Sequence, residues 1–113
     1  MLQKAPGNTI RTTARVTNIG NIPVVVHIQS VYWNNTWFWG DGIVINLTLE
    51  PGVSYDFDSG TNVITEAWPI GIYNAQVYVI DPETNLPIAK GILNDAFEIT
   101  SLIAFGFENI TVY

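Results

Sequence analysis

The chain has 113 residues and a formal charge of −6, enough for one domain whose core needs no disulfide or metal staple. Hydrophobic residues make up 48% and charged residues 12%, a balance that excludes a disordered chain. Four basic residues against ten acidic ones leave no basic face for phosphates, so neither nucleic acid nor an anionic membrane is an expected partner.

Residues 1–8 are polar and carry a proline, and they read as a linker before a single domain over 9–113. Strand-like alternation then recurs about every ten residues, with turn residues between and no helical period. Residues 9–17 alternate Ile10, Thr12, Ala14 and Val16 against Arg11, Thr13, Arg15 and Thr17. The turn Asn18-Ile19-Gly20-Asn21 leads into a long strand over 23–33, apolar on both faces at its start, as in a sheet interior.

Asn34-Asn35 reads as a turn, 36–39 as a short aromatic strand and Gly40-Asp41-Gly42 as another turn. Residues 43–49 alternate with Ile43, Ile45, Leu47 and Leu49 inward and Val44, Asn46 and Thr48 outward. Glu50-Pro51-Gly52 has the residues of a type II turn, and Val53, Tyr55 and Phe57 restart the alternation against Ser54, Asp56 and Asp58.

Residues 58–66 read as a polar loop. A strand over 72–80 follows, then the hairpin loop Asp81-Pro82-Glu83-Thr84-Asn85 and its partner strand over 86–93. The segment 93–113 supplies extra C-terminal strands with breaks at Ser101 and Gly106. Seven to nine antiparallel strands with short turns and no helix predict an all-β sandwich.

Three ordered segments carry a resemblance: Val16-Thr17-Asn18-Ile19-Gly20-Asn21-Ile22-Pro23-Val24-Val25-Val26, Leu47-Thr48-Leu49-Glu50-Pro51-Gly52-Val53-Ser54-Tyr55 and Gly71-Ile72-Tyr73-Asn74-Ala75-Gln76-Val77-Tyr78-Val79. Their order resembles immunoglobulin-like modules of prokaryotic surface proteins, the CARDB type in particular, and the globular domains of archaeal pilins, archaellins and archaellum stator subunits. The likeness spans about residues 10–93. It implies an immunoglobulin-like β-sandwich, an extracellular or cell-surface setting and a structural or adhesive role. The apolar N-terminal helix through which pilins assemble is absent, and the tail from Ala96 has no counterpart.

Chemistry-bearing residues are few. The chain has no cysteine, which removes thiolate catalysis, disulfides and Cys-based zinc sites. His27 is the only histidine, and no Gly-x-Ser-x-Gly elbow accompanies it, so no catalytic residues and no cofactor are assigned. Asp56 and Asp58 share a strand face and are a weak calcium candidate, together with Asp41 or Glu66. Asn34, Asn46 and Asn109 each begin an Asn-x-Thr sequon and are candidate glycosylation sites. No stretch approaches the roughly 18 apolar residues of a membrane helix, and no signal or anchor is legible, so membrane contact by this segment is not expected.

The cluster Tyr32-Trp33-Asn34-Asn35-Thr36-Trp37-Phe38-Trp39 places three of the four tryptophans around one polar turn. Trp33, Trp37, Phe38 and Trp39 form an aromatic tip that stacks on a sugar or docks a protein; alternatively Trp37 and Trp39 plug one end of the core. The apolar run 101–107 completes the sandwich in its own chain, or it, or the strand over 9–17, is donated to a neighbour. The function expected first is a non-enzymatic structural module contacting itself, a filament subunit or a surface-layer protein, with a carbohydrate-binding module second. Expected partners are accordingly a second copy, such a surface protein, or a glycan.

Overall fold

A computed structural model of the chain describes residues 1–100 and 106–113. Among these residues there are nine β-strands and no helix: β1 (Leu2–Lys4), β2 (Thr9–Ile10), β3 (Thr13–Thr17), β4 (Val24–Trp33), β5 (Phe38–Leu49), β6 (Ser54–Asp58), β7 (Asn62–Val63), β8 (Gly71–Ile80) and β9 (Pro87–Ile99). The expected all-β class is observed. Five strands form one sheet in the order β1-β9-β8-β4-β5, while β2–β7 and β3–β6 are separate two-stranded ribbons.

The sheet is mixed rather than wholly antiparallel, because β1 runs parallel to β9 with Leu2 opposite Phe97 and Lys4 opposite Ile99. Leu2–Lys4 extends the sheet, and Gly7 and Asn8 exchange backbone hydrogen bonds with Ile64 at 2.8 and 2.9 Å. The single strand expected over 9–17 divides at Arg11 and Thr12, since β2 pairs with β7 and β3 with β6. At the division Thr12 donates its N–H to Ser59 Oγ and accepts the Ser59 N–H, both at 2.9 Å.

The core lies between the large sheet and the ribbons. Ile10 and Ile64 cover Tyr32, Trp68, Tyr73, Phe97 and Ile99 in one cluster. Phe57, with Val16 and Tyr55, covers Val26, Ile28 and Leu49 in the other. Tyr73 stacks on Phe97 with ring centroids 5.1 Å apart, and Tyr32 meets Phe97 edge-on at 5.6 Å. Each such side chain contributes about 1.5–3 kcal/mol on burial. Ile64 lies in the stretch read as a polar loop, yet it is fully buried, and so is Trp68 just beyond. An isolated apolar residue with no alternation around it gives no periodic signal.

The turn at Glu50-Pro51-Gly52 has the expected form, and the strand that follows the aromatic cluster does not. Val53 donates to the Glu50 carbonyl at 3.1 Å with Gly52 at φ +79°, the predicted type II geometry. By contrast, 36–39 and 43–49 are not two strands around a turn. β5 runs unbroken from Phe38 to Leu49, with register shifts opposite Val26/Ile28 and Gln29/Val31. At the first shift Asn46 adopts φ +52° and inserts one extra residue, which flips the alternation. Val44 then packs on the core where Ile43 and Ile45 were expected, and those two face solvent. Gly42 has no room for a side chain, because a Cβ there would collide with the Ser59 carbonyl.

The irregularities at Asn46 and at Asp95 are built the same way. The Asn46 N–H leaves the β4–β5 ladder and is accepted by His27 Nδ1 at 3.0 Å. Asp95, at φ +50° in β9, gives its N–H to Asn74 Oδ1 of β8 at 3.0 Å. In each case a side chain on the adjacent strand accepts a donor that the ladder has released.

Candidate functional site

The aromatic tip is held by the turn between β4 and β5. Asn34 Oδ1 accepts the N–H groups of Thr36 and Trp37 at 2.9 and 2.8 Å and the Thr36 hydroxyl at 3.0 Å. This Asx-type turn fixes the direction in which Trp37, Phe38 and Trp39 leave. Alternation then separates them. Phe38 pairs opposite Trp33 on the outer face of the large sheet, while Trp39 pairs opposite Tyr32 on the core side. Trp37 packs against the first core cluster, and Trp39 lies 5.4 Å from Trp68, ring to ring, at the rim.

The four aromatic residues therefore do not form one platform. Trp33, Trp37 and Phe38 line an open groove of about 610 Å3 on the outer face, completed by Gln76, Tyr78 and Lys90. Trp39 does not line it. Trp33 Nε1 donates to Gln76 Oε1 at 2.7 Å, which fixes the indole against β8. Gln76, Tyr78 and Lys90 carry no sequence motif; they join the groove because β8 places Gln76 opposite Ile92 and Tyr78 opposite Lys90. Phe38 is 62% exposed and presents its ring to solvent above the groove.

At the corner before β8 the Tyr73 hydroxyl donates to the Pro69 carbonyl, four residues back along the chain, at 2.6 Å. Burial pushes the Tyr73 phenol up, opposed by a hydrogen bond from Asn34. With its oxygen in the turn and its amide group on Tyr73, Asn34 has its carboxamide committed to structure. Asn46 and Asn109 are exposed.

Asp56 and Asp58 face solvent, and each carboxylate meets an arginine on the neighbouring segment. Arg15 Nε lies 2.8 Å from Asp56, and Arg11 pairs with Asp58, whose Oδ1 also accepts the Gly60 N–H at 2.9 Å. The Arg15 hydrogen bond holds the Asp56 carboxyl below the usual carboxylate range; Arg11 and then the Gly60 N–H do so for Asp58. No group of three or more His, Asp or Glu among the described residues could hold a metal ion. The Asp41 side chain lies outside the described set. His27 is engaged at the Asn46 bulge, a backbone-supporting role.

Of the run 101–107, residues 101–105 lie outside the described residues. Residues 106–113 pair with no strand among the described residues, and Phe107, Ile110, Val112 and Tyr113 are each at least 77% exposed. No helix among the described residues is long and apolar enough to cross a membrane. No family model matches the chain, and comparison with curated proteins and with solved structures gives no match.

Proposed function

We propose that the chain is an immunoglobulin-like β-sandwich module of a prokaryotic, archaeal-type surface protein, extracellular or displayed at the cell surface. Its work is structural and non-enzymatic: adhesion to a second copy, a filament subunit or a surface-layer protein. The observation that carries this reading is the segment 106–113, which pairs with no strand among the described residues and where Phe107, Ile110, Val112 and Tyr113 stand in solvent. Exposed apolar side chains gathered on one unpaired segment mark an interaction site rather than a finished surface. The exposed sequon residues Asn46 and Asn109 suit a protein that meets glycosylating machinery. Sedimentation velocity over a wide concentration range tests the self-association: the average mass rises with concentration. A strictly monomeric chain throughout overturns it.

The groove at Trp33, Trp37 and Phe38 favours a second reading, a carbohydrate-binding module. Aromatic faces there lie beside the amide of Gln76, the hydroxyl of Tyr78 and the ammonium of Lys90, the mixture that sugar rings and their hydroxyls require. Titration with a panel of neutral polysaccharides then quenches tryptophan fluorescence saturably, and Phe38→Ala weakens the effect. Silence across the panel removes this reading.

A further inference from the structure

The segment 106–113 is matched by an unfilled seam on the same molecule. Among the described residues β3 pairs only with β6, and β9 has no neighbour over 87–96 on the side away from β8. Between these two free edges lie two adjoining cavities of about 460 and 260 Å3, which share Ala14, Val77 and Gly91 as lining. The seam runs over the core-facing side of the sheet, yet it is incompletely covered. Val77 and Val79, in the middle of the sheet, are only half-buried, and Leu93, opposite Ala75, is 64% exposed. The second layer stops at β3, one strand short of covering β9.

We infer that residues 106–113 of a second copy fill this seam as an added strand along the free edge of β3. The inference rests on the self-association proposed above and names both of its surfaces. Length fits: eight extended residues span about 26 Å at ~3.3 Å each, and so does β9 from Ala89 to Phe97. Size fits as well. The floor of the seam includes Ala14, Ala75, Ala89 and Gly91 beside larger apolar neighbours such as Leu93 and Phe97, and the segment carries Phe107, Ile110 and Val112 to set against it. Asn109, at φ +51°, repeats the backbone state that rephases β5 at Asn46. An extra residue there brings Phe107, Ile110 and Val112 to one side of the strand, with Glu108 and Thr111 on the other. The edge of β3 supplies backbone donors and acceptors, and the seam supplies apolar pockets, the two requirements of strand addition.

The occupant is assigned to another copy because, within one molecule, residues 106–113 pair with no described strand and line neither cavity. Segment and seam are different surfaces, so the contact runs head to tail, either onward from copy to copy or closed by a ring or a reciprocal exchange of segments.

Two substitutions separate donor from acceptor. Ile110→Asp acts on a side chain that is 77% exposed, so it spares the fold, and it replaces an apolar side chain of the segment by a carboxylate that must be desolvated to enter the seam. Gly91→Phe fills the seam from within, and a Cβ at Gly91 meets nothing within 4 Å. The full chain is followed by sedimentation velocity, with circular dichroism confirming that each variant is folded. The unsubstituted chain forms oligomers whose average mass rises with concentration, and each variant alone associates at least about tenfold more weakly. Mixed, they form a dimer that grows no further, since one supplies an intact segment and the other an intact seam. A monomeric unsubstituted chain overturns the self-association itself. Association that survives Ile110→Asp, or folded variants that fail to form the mixed dimer, overturns the seam assignment and leaves self-association standing.

Discussion

Tyr73 shows how much of this molecule turns on single polar atoms inside apolar surroundings. Its ring is fully buried against Phe97 and Trp68, yet its hydroxyl donates to the Pro69 carbonyl and accepts from Asn34. One phenol thereby ties the turn after β4 to the corner before β8. Tyr73→Phe keeps the ring and strands both partners, so the expected loss is about 1–3 kcal/mol. Urea unfolding measures it as a lower midpoint with an unchanged slope. A variant as stable as the parent would mean that ring packing alone holds the corner. The raised phenol pKa adds a pH dependence. The folded chain favours the neutral phenol, so stability is intact below the ordinary tyrosine value of about 10 and falls as pH rises through the folded value. Tyr73→Phe removes that part of the alkaline loss.

At the scale of elements, the β3–β6 ribbon is stitched across its solvent face. Arg15 lies directly opposite Asp56, Thr17 opposite Ser54 with 2.7 Å between their hydroxyls, and Arg11 reaches Asp58 from just before β3. All are exposed, so water and salt screen the charges, and their contribution is visible mainly through its pH dependence. Both carboxyl pKa values are depressed in the folded state, so this stabilisation is present above the ordinary aspartate value of about 3.9 and is lost as pH falls through the folded values. Melting temperature measured from about pH 5 down to about pH 2 falls more steeply for the parent than for an Asp56→Asn, Asp58→Asn double variant. The gap narrows in about 1 M salt. Parallel curves would show that the pairs add nothing.

The same ribbon shows what alternation makes legible. The Val53–Phe57 alternation and the Glu50-Pro51-Gly52 turn place β6 in the sequence within a residue. The apolar phase of β5 is legible after Asn46, where Leu47 and Leu49 face the core, but not before it, because one left-handed Asn46 inverts the alternation over Ile43–Ile45 and Asn has no unique signature for that state. The site divides along the same line. Trp33, Trp37 and Phe38 are legible as a cluster because they are neighbours in sequence. Gln76, Tyr78 and Lys90 are not, because only the pairing of β8 with β4 and β9 brings them there.

For the molecule as a whole, the unequal support of the two layers sets the order in which parts open. β4 and β8 each have a strand on both sides, whereas the two ribbons have one ladder apiece and rest on the sheet through Ile10, Ile64, Val16, Tyr55 and Phe57. The cost of local opening rises with the contacts that must break, so amide exchange is slowest in the centre of β4 and β8 and faster in β2, β3, β6 and β7. Hydrogen exchange read by mass spectrometry at low concentration checks this gradient, and ribbons protected as strongly as β4 would contradict it. The measurement also bears on assembly. Raising the concentration slows exchange in β3 and in 106–113 together, because an added strand satisfies amides on both sides of the new ladder, while β4 and β8 change little. Protection that appears instead across the outer face at Phe38, Ile43 and Tyr78 would move the self-contact to the opposite side of the sheet, away from the seam between β3 and β9.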